Sequence, residues 1–225
     1  MKVTTDACLF GAWCAHEIEM ESSLQQEQNI CALEIGTGTG LLSLMIAQKA
    51  SLTIDAVEID ADAAKQAMKN CASSPFAARI HIYQSDILQF GNQQYNYIIS
   101  NPPFYENEVK SQQITKNIAH HSYQLRLEEV FAIVENNLLP DGTFFLLLPF
   151  KRKKELEFLL KQQNLFATKI IFLRPSVLHP PFRIMLKGCK INVEMPFITE
   201  IPITNKQKQY TYEFKELLKD YYLKL

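Results

Sequence analysis

The tetrapeptide Asn101-Pro102-Pro103-Phe104 places unusual chemistry in four consecutive residues. It follows Tyr97-Ile98-Ile99-Ser100, an apolar run that reads as a buried strand ending in a polar turn. Two successive prolines fix φ and donate no hydrogen bond, so the backbone must leave the strand in one rigid shape. That shape holds a carboxamide, a proline-flanked carbonyl and an aromatic face at the carboxyl end of a strand. The cluster suits gripping a planar, amine-bearing group while its nitrogen attacks an electrophile. A plain proline-rich turn would look the same in isolation.

Three of the seven glycines sit in Glu34-Ile35-Gly36-Thr37-Gly38-Thr39-Gly40, after the strand Cys31-Ala32-Leu33 and before a helix opening at Leu41. Glycines there permit a sharp turn and a close ligand approach. The spacing is Gly-x-Gly-x-Gly, not the Gly-x-Gly-x-x-Gly of dinucleotide sites. Glu34, two positions before the first glycine, would repel a pyrophosphate but tolerate the cationic amino-acid end of S-adenosylmethionine. Glu58 closes the next strand, Asp55-Ala56-Val57-Glu58, where an acid reaches ribose hydroxyls in nucleotide-binding βαβ units. Asp60 is the alternative for that role, or a helix N-cap. Asp86, in Gln84-Ser85-Asp86-Ile87, follows the third strand. There it can accept from an adenine amine, with Ile87 as an apolar wall; a turn or cap aspartate is the competing reading. The loop, Glu58, Asp86 and Asn101 all follow strand carboxyl ends, the edge where open α/β sheets bind ligands.

These residues must be held by alternating elements. Strand patterns fall at 30–35, 53–58, 80–84, 95–100, 143–148, 167–173 and 183–191, with helical patterns at 41–50, 61–71, 127–139 and 151–163. The alternation predicts a mostly parallel, seven-stranded α/β sheet with helices on both faces. The link 174–181 is too short for a crossover and predicts one antiparallel strand. An N-terminal helix through Trp13-Cys14-Ala15 is expected to cover the sheet, with Asp6 near its start as a cap. In the tail, Tyr210, Phe214, Leu217, Leu218, Tyr221, Tyr222 and Leu225 recur at helical spacing, which predicts an amphipathic helix docking back on the domain. The expected organisation is therefore one domain, 1–204, with a C-terminal helix in 205–225.

A chain of 225 residues with 47% hydrophobic and 21% charged residues has the make-up of a globular domain with a substantial core. Its apolar runs fall far short of a bilayer span and its start lacks a signal-peptide core, so a cytoplasmic protein is expected. Cys8, Cys14, Cys31, Cys71 and Cys189 are odd in number, scattered and without a Cys-x-x-Cys pair, which predicts reduced buried thiols and no metal site. A net charge of −1 leaves nucleic-acid binding to local basic patches. One such patch is Lys151-Arg152-Lys153-Lys154, whose cations oppose the dipole of a helix start and so need another reason. Arg174 and Arg183 are further cations, and the polar stretch 106–123 adds Lys110, Lys116, His120 and His121.

In this order, Glu34-x-Gly36-x-Gly38-x-Gly40, Glu58, Asp86 and Asn101-Pro102-Pro103-Phe104 resemble the amino-methylating branch of the Rossmann-like S-adenosylmethionine-dependent methyltransferases. The opening Lys2-Val3-Thr4-Thr5-Asp6-Ala7 with Leu9-Phe10-Gly11-Ala12-Trp13 looks like one bacterial group, as do Leu41-Leu42-Ser43-Leu44 and the tail Tyr210-x4-Lys215-x-Leu217-Leu218-x2-Tyr221-Tyr222-Leu223. That group is the tRNA1(Val) adenine-N6 methyltransferases, which modify the adenine 3′ of the anticodon. The family usually carries a basic, aromatic segment before the position of Met1, so RNA contacts are expected from a longer start or from elsewhere in the chain.

The resemblance implies S-adenosylmethionine as cofactor and a valine tRNA as partner, with no membrane and no obligate protein partner. Thr5, Asp6, Glu34, Gly36, Gly38, Gly40, Glu58, Ile59, Asp86, Ile87 and Asn101 are the expected cofactor residues. Asn101, Pro102, Pro103 and Phe104 are the expected catalytic set, and Phe104, Tyr105, Lys110, His121, Lys151 and Arg152 the expected substrate contacts. An adenine amine is a poor nucleophile because its lone pair is delocalised into the ring. If the Asn101 oxygen and the Pro102 carbonyl accept its two N–H bonds, the nitrogen is drawn toward tetrahedral geometry. Phe104 would stack on the unstacked base. The same tetrapeptide serves protein-glutamine N5-methyltransferases acting on release factors and rRNA or DNA amino-methyltransferases. About 30 residues before the glycine loop are too few for the helical substrate domain of the glutamine enzymes, and no DNA target-recognition insert is visible. A non-catalytic scaffold or a nicotinamide dehydrogenase fits the motifs less well.

Overall fold

The computed structural model describes residues 3–23, 29–102 and 125–224. Helix α1 (Thr5–Ser22) leads into strand β1 (Cys31–Ile35), followed by α2 (Leu41–Lys49), β2 (Thr53–Glu58), α3 (Ala61–Ala72), β3 (Ile80–Gln84) and β4 (Tyr95–Ser100). After the segment outside the description come α4 (Leu127–Asn137), β5 (Leu138–Pro149), α5 (Lys153–Gln162), β6 (Phe166–Ser176), β7 (Arg183–Cys189), β8 (Phe197–Thr204) and α6 (Tyr212–Leu218).

The eight strands form one sheet in the order β3-β2-β1-β4-β5-β7-β6-β8. β7 runs antiparallel to both β5 and β6, while β8 runs parallel to β6. Side chains alternate across the sheet. Ala32, Ile54, Ile99, Phe145 and Met185 pack beneath α1, α2 and α6 on one face, and Leu33, Val57, Ile98, Phe144 and Ile184 beneath α4 and α5 on the other. Trp13 of α1 is buried edge-on against Phe145, with ring centroids 5.5 Å apart at 85°. Gly11 lets α1 lie close on α2, because a Cβ there would meet Met45 Sδ at 2.7 Å. Phe214 and Leu218 of α6 are fully buried against the same core.

The strand count differs from the seven expected. β8 was hidden because Pro202 and Glu200 interrupt its apolar pattern; as an edge strand it tolerates a proline that a central strand would not. The predicted helix over 127–139 stops at Asn137, where β5 already begins. The predicted helix over 151–163 opens with a short 3₁₀ turn, Phe150–Arg152, before α5 proper. Thr4, not Asp6, occupies the N-cap position of α1; Asp6 sits one residue into the helix and pairs with Arg183 at 2.8 Å. All five thiols are free.

Candidate active site

Register brings the motifs together. Ile35 lies beside Val57 on one side and Ser100 on the other, and Glu58 lies beside Gln84. Asp86, Glu58, Gly36 and Asn101 therefore succeed one another along one edge, at the ends of four adjacent strands. Ser100 fixes this arrangement: it is fully buried and its Oγ donates to the Ile35 carbonyl at 2.9 Å, tying the end of β4 to the end of β1. Sequence reasoning missed Ser100, although a hydroxyl residue closing an otherwise apolar strand was the available signal.

The glycine loop needs its glycines, since Gly36, Gly38 and Gly40 have φ of 73°, 60° and 79°. They do different work. A Cβ at Gly36 would meet nothing within 4 Å, so this residue borders open space, whereas one at Gly40 would stand 3.0 Å from Cys71 Sγ of α3. Gly40 thus serves helix packing. The loop is anchored to β2 by Gly36 N–H and Thr37 N–H donating to the Val57 carbonyl at 2.9 and 3.1 Å.

Two carboxylates hold the loop. Glu58, mostly buried, accepts from Gly38 N–H at 2.8 Å through one oxygen and from Asp60 N–H at 3.0 Å through the other. Glu34, expected among the cofactor residues, is buried beneath the loop. Its Oε2 accepts from Thr37 Oγ1 at 2.8 Å, from Ser43 N–H at 3.0 Å and from Ser43 Oγ. Burial outweighs these donors and the nearby Glu58 charge adds to it, so the Glu34 carboxyl is pushed up to about 7. Thr37 and Ser43 shape the loop and were likewise missed from sequence.

The remaining positions separate clearly. Asp60 is the N-cap of α3, accepting from Ala63 N–H at 2.8 Å, so the cap reading of it holds. Asp86 also accepts a local bond, from Leu88 N–H at 3.0 Å, and is half-buried beside Ile87. Ile59 is exposed next to Glu58. Thr5 is exposed at the start of α1, which reaches the same edge because Asp6 pairs with Arg183 at the start of β7. Asn101 is half-buried and its side chain makes no hydrogen bond with another described residue; Pro102 behind it is buried. Pro103, Phe104, Tyr105, Lys110, Lys116, His120 and His121 lie outside the described residues.

The basic patch follows β5 on the same edge. Arg152 donates to both carboxylate oxygens of Glu155, through Nε and Nη2, and Lys153 approaches Glu157 at 3.8 Å. Lys151 and Lys154 are exposed. Arg174 is committed to Glu200 at 2.8 Å and to the carbonyls of His179 and Val177, which shape the turn after β6. Among the described residues no group of His, Cys, Asp and Glu could hold a metal ion, and no helix is long and apolar enough to cross a membrane.

A parallel sheet reversed by one antiparallel strand, with a glycine loop after β1 and an acid after β2, defines the class of Rossmann-like methyltransferases. Solved structures share this fold. A chain described as a predicted O-methyltransferase from Agrobacterium tumefaciens superposes with a TM-score of 0.65 at 14% identity, covering 93% of this chain and 94% of that one. The glycopeptide N-methyltransferase MtfA complexed with S-adenosyl-L-methionine gives 0.56 at 12% identity, covering 80% and 94%. Residues 18–158 match the model of the methyltransferase small domain. The tRNA1(Val) (adenine(37)-N6)-methyltransferase of Parabacteroides distasonis is 34% identical over 228 residues, 100% of this chain and 92% of that protein. Its counterpart in Dyadobacter fermentans is 36% identical over 100% and 91%. The one in Yersinia enterocolitica is 35% identical over 99% and 86%. The chain belongs to the family of tRNA1(Val) (adenine(37)-N6)-methyltransferases.

Proposed function

We propose that this chain transfers a methyl group from S-adenosylmethionine to the N6 amine of adenine in tRNA, the adenine at position 37 of tRNA1(Val), as its relatives' names state for them. The single observation that carries the reading is the alignment of Asn101 with the glycine loop through the Ile35–Ser100 register.

The residues present fit the cofactor. Gly36 borders open space, and Glu58 stands beside Gly38 at the end of β2 with its carboxylate ready for hydroxyl donors. Glu58, Ile59, Asp86, Ile87 and the Gly36–Gly38 backbone would hold it, with Thr5 at the rim; when bound it supplies an electrophilic methyl on a sulfonium. Glu34, Thr37 and Ser43 keep the loop in shape, and Gly40 seats it on α3.

Asn101 acts on the nucleophile. Its unengaged carboxamide oxygen accepts one N–H of the adenine amine and the Pro102 carbonyl accepts the other, localising the lone pair on nitrogen. The buried Pro102 prevents this acceptor pair from relaxing. Phe104 stacks on the base, Pro103 sets its entry, and Tyr105, Lys110 and His121 extend the contact to the RNA. Lys151 and Arg152 meet phosphate at the end of β5. The active unit is one methyltransferase domain with its C-terminal helix docked on it, acting in the cytoplasm.

Methyl transfer from labelled S-adenosylmethionine, offered unmodified tRNA, a release factor and duplex DNA in parallel, tests the reading. N6-methyladenosine in a valine tRNA alone is the expected result. Label on release-factor glutamine or on DNA would overturn it.

A further inference from the structure

The ligand edge does not end at Asn101. It continues past the ends of β5, β6 and β8 and the start of β7, since Pro149 lies beside Arg183, Arg183 beside Leu173, and Ser176 beside Thr204. Segments 149–154, 175–183 and 202–212 on this edge contain seven Lys or Arg, His179 and no Asp or Glu. The opposite edge of the same strands is mixed, with Asp141, Lys190 and Glu194.

Several of the edge cations already have carboxylates: Arg183 has Asp6, Arg152 has Glu155 and Lys153 approaches Glu157. Lys206 and Lys208 differ. Both are exposed, and neither has an ion pair or hydrogen bond to another described residue through its side chain. The turn that carries them is firmly built. Asn205 Oδ1 accepts from Gln207 N–H at 2.9 Å and Gln209 N–H at 3.0 Å, and Asn205 N–H donates to the Gln209 carbonyl at 2.9 Å. Tyr210 stacks on the buried Phe214 at 4.5 Å, and Thr211 Oγ1 donates to the Pro202 carbonyl at 2.7 Å. A rigid backbone thus presents two uncommitted ammonium groups.

We propose that turn 205–211 is a phosphate anchor for the RNA substrate, with Lys206 and Lys208 as its contacts, so that the RNA lies along the edge from Asn101 toward β8. The proposal rests on the tRNA reading above. β8 is four strands from β4, or about 19 Å at roughly 4.8 Å per strand. At about 3.4 Å per nucleotide in a stacked strand, the anchor reaches phosphates about five or six nucleotides from the target adenine. The cofactor side of the edge is ruled out for this path by its acids, Glu58, Asp60, Asp62 and Asp86.

The test is binding of unmodified tRNA as a function of salt, by fluorescence anisotropy, for the natural chain and for Lys206→Ala with Lys208→Gly. Lys208 has φ 61°, a conformation glycine adopts freely, so this variant loses charge without backbone strain. Expected is a three- to tenfold weaker affinity, about that of two lost phosphate contacts, and a salt slope shallower by about 1.4–2. Turnover at saturating tRNA and S-adenosylhomocysteine binding by calorimetry remain as in the natural chain. An unchanged affinity and slope, with the natural chain binding and methylating tRNA, would overturn the anchor alone. A natural chain that neither binds nor methylates tRNA would overturn the function reading and the anchor with it.

Discussion

Along one edge of one sheet, the ends of β1, β2 and β3 carry Glu34, Glu58, Asp60, Asp62 and Asp86, with no Lys, Arg or His in segments 34–40, 58–62 and 84–89. The other end, from β5 to β8, carries Lys151, Arg152, Lys153, Lys154, Lys206 and Lys208, with Asn101 at the boundary. The acids are held largely by the chain's own backbone N–H groups: Gly38 and Asp60 on Glu58, Ala63 on Asp60, Leu88 on Asp86. The cations that are committed are held by side-chain carboxylates, Arg152 and Lys153 by Glu155 and Glu157 one turn on in α5 and Arg183 by Asp6 of α1. Carboxylates that already shape the loop can exchange a backbone donor for a ligand hydroxyl, and a cationic ligand gains from their sign. A polyanion is repelled there and attracted at the other end. A net charge of −1 therefore conceals a separation of charge matched to two different ligands.

Asn101→Ala is expected to lower turnover by about 10²–10³-fold, as for loss of one positioned polar group, while S-adenosylhomocysteine binding by calorimetry stays within about twofold. Equal loss of both would move Asn101 into the cofactor half.

Glu34 tests how far burial governs the acidic half. Its folded carboxyl is pushed up to about 7 from 4.5, so the folded chain holds the proton more tightly than the unfolded one. Its contribution to stability is complete below about pH 4.5 and is lost as pH rises through 7, by on the order of 3 kcal/mol. Thermal unfolding from pH 4 to 8 should show that loss in the natural chain and a flatter profile in Glu34→Gln. Parallel profiles would mean that the loop's donors, not burial, set this carboxyl.

Removing the other carboxylate with Glu58→Ala should weaken S-adenosylhomocysteine about 10–100-fold, the worth of hydrogen bonds to a charged group, with tRNA affinity unaltered. A fall in both affinities would show that the two halves are not separable. The smallest effect is expected for Lys151→Ala with Lys154→Ala: tRNA affinity about two- to fivefold lower and a shallower salt slope, with calorimetry unchanged. No change in slope would confine RNA binding to other parts of the edge.

Much of this was legible in the residues. The glycine spacing, the acids after successive strands and the Asn-Pro-Pro-Phe tetrapeptide are local patterns, and local patterns survive in one dimension. Seven of the eight strands followed from their apolar patterns: a central strand such as β4 is buried throughout and apolar in a run, and the edge strand β3 alternates, with Ile80 and Ile82 more buried than His81 and Tyr83. β8 did not, since Glu200 and Pro202 interrupt its pattern and Pro196 stands just before it, interruptions that an edge strand tolerates. The roles of Ser43, Thr37 and Ser100 were equally hidden, because each depends on a partner brought near by the turn or the neighbouring strand.

By itself, then, the sequence determined the kind of fold and the family, since those rest on periodicity and short motifs. Only the tertiary structure decided that Glu34 is a buried fastener of the loop and that Asp6 belongs to Arg183. It alone brought Lys206 and Lys208 onto the same edge as Asn101, more than a hundred residues away in the chain. The physical reason is the same in each case: hydrogen-bond partners and electric fields are set by distance through space, and strand order, not chain order, sets that distance.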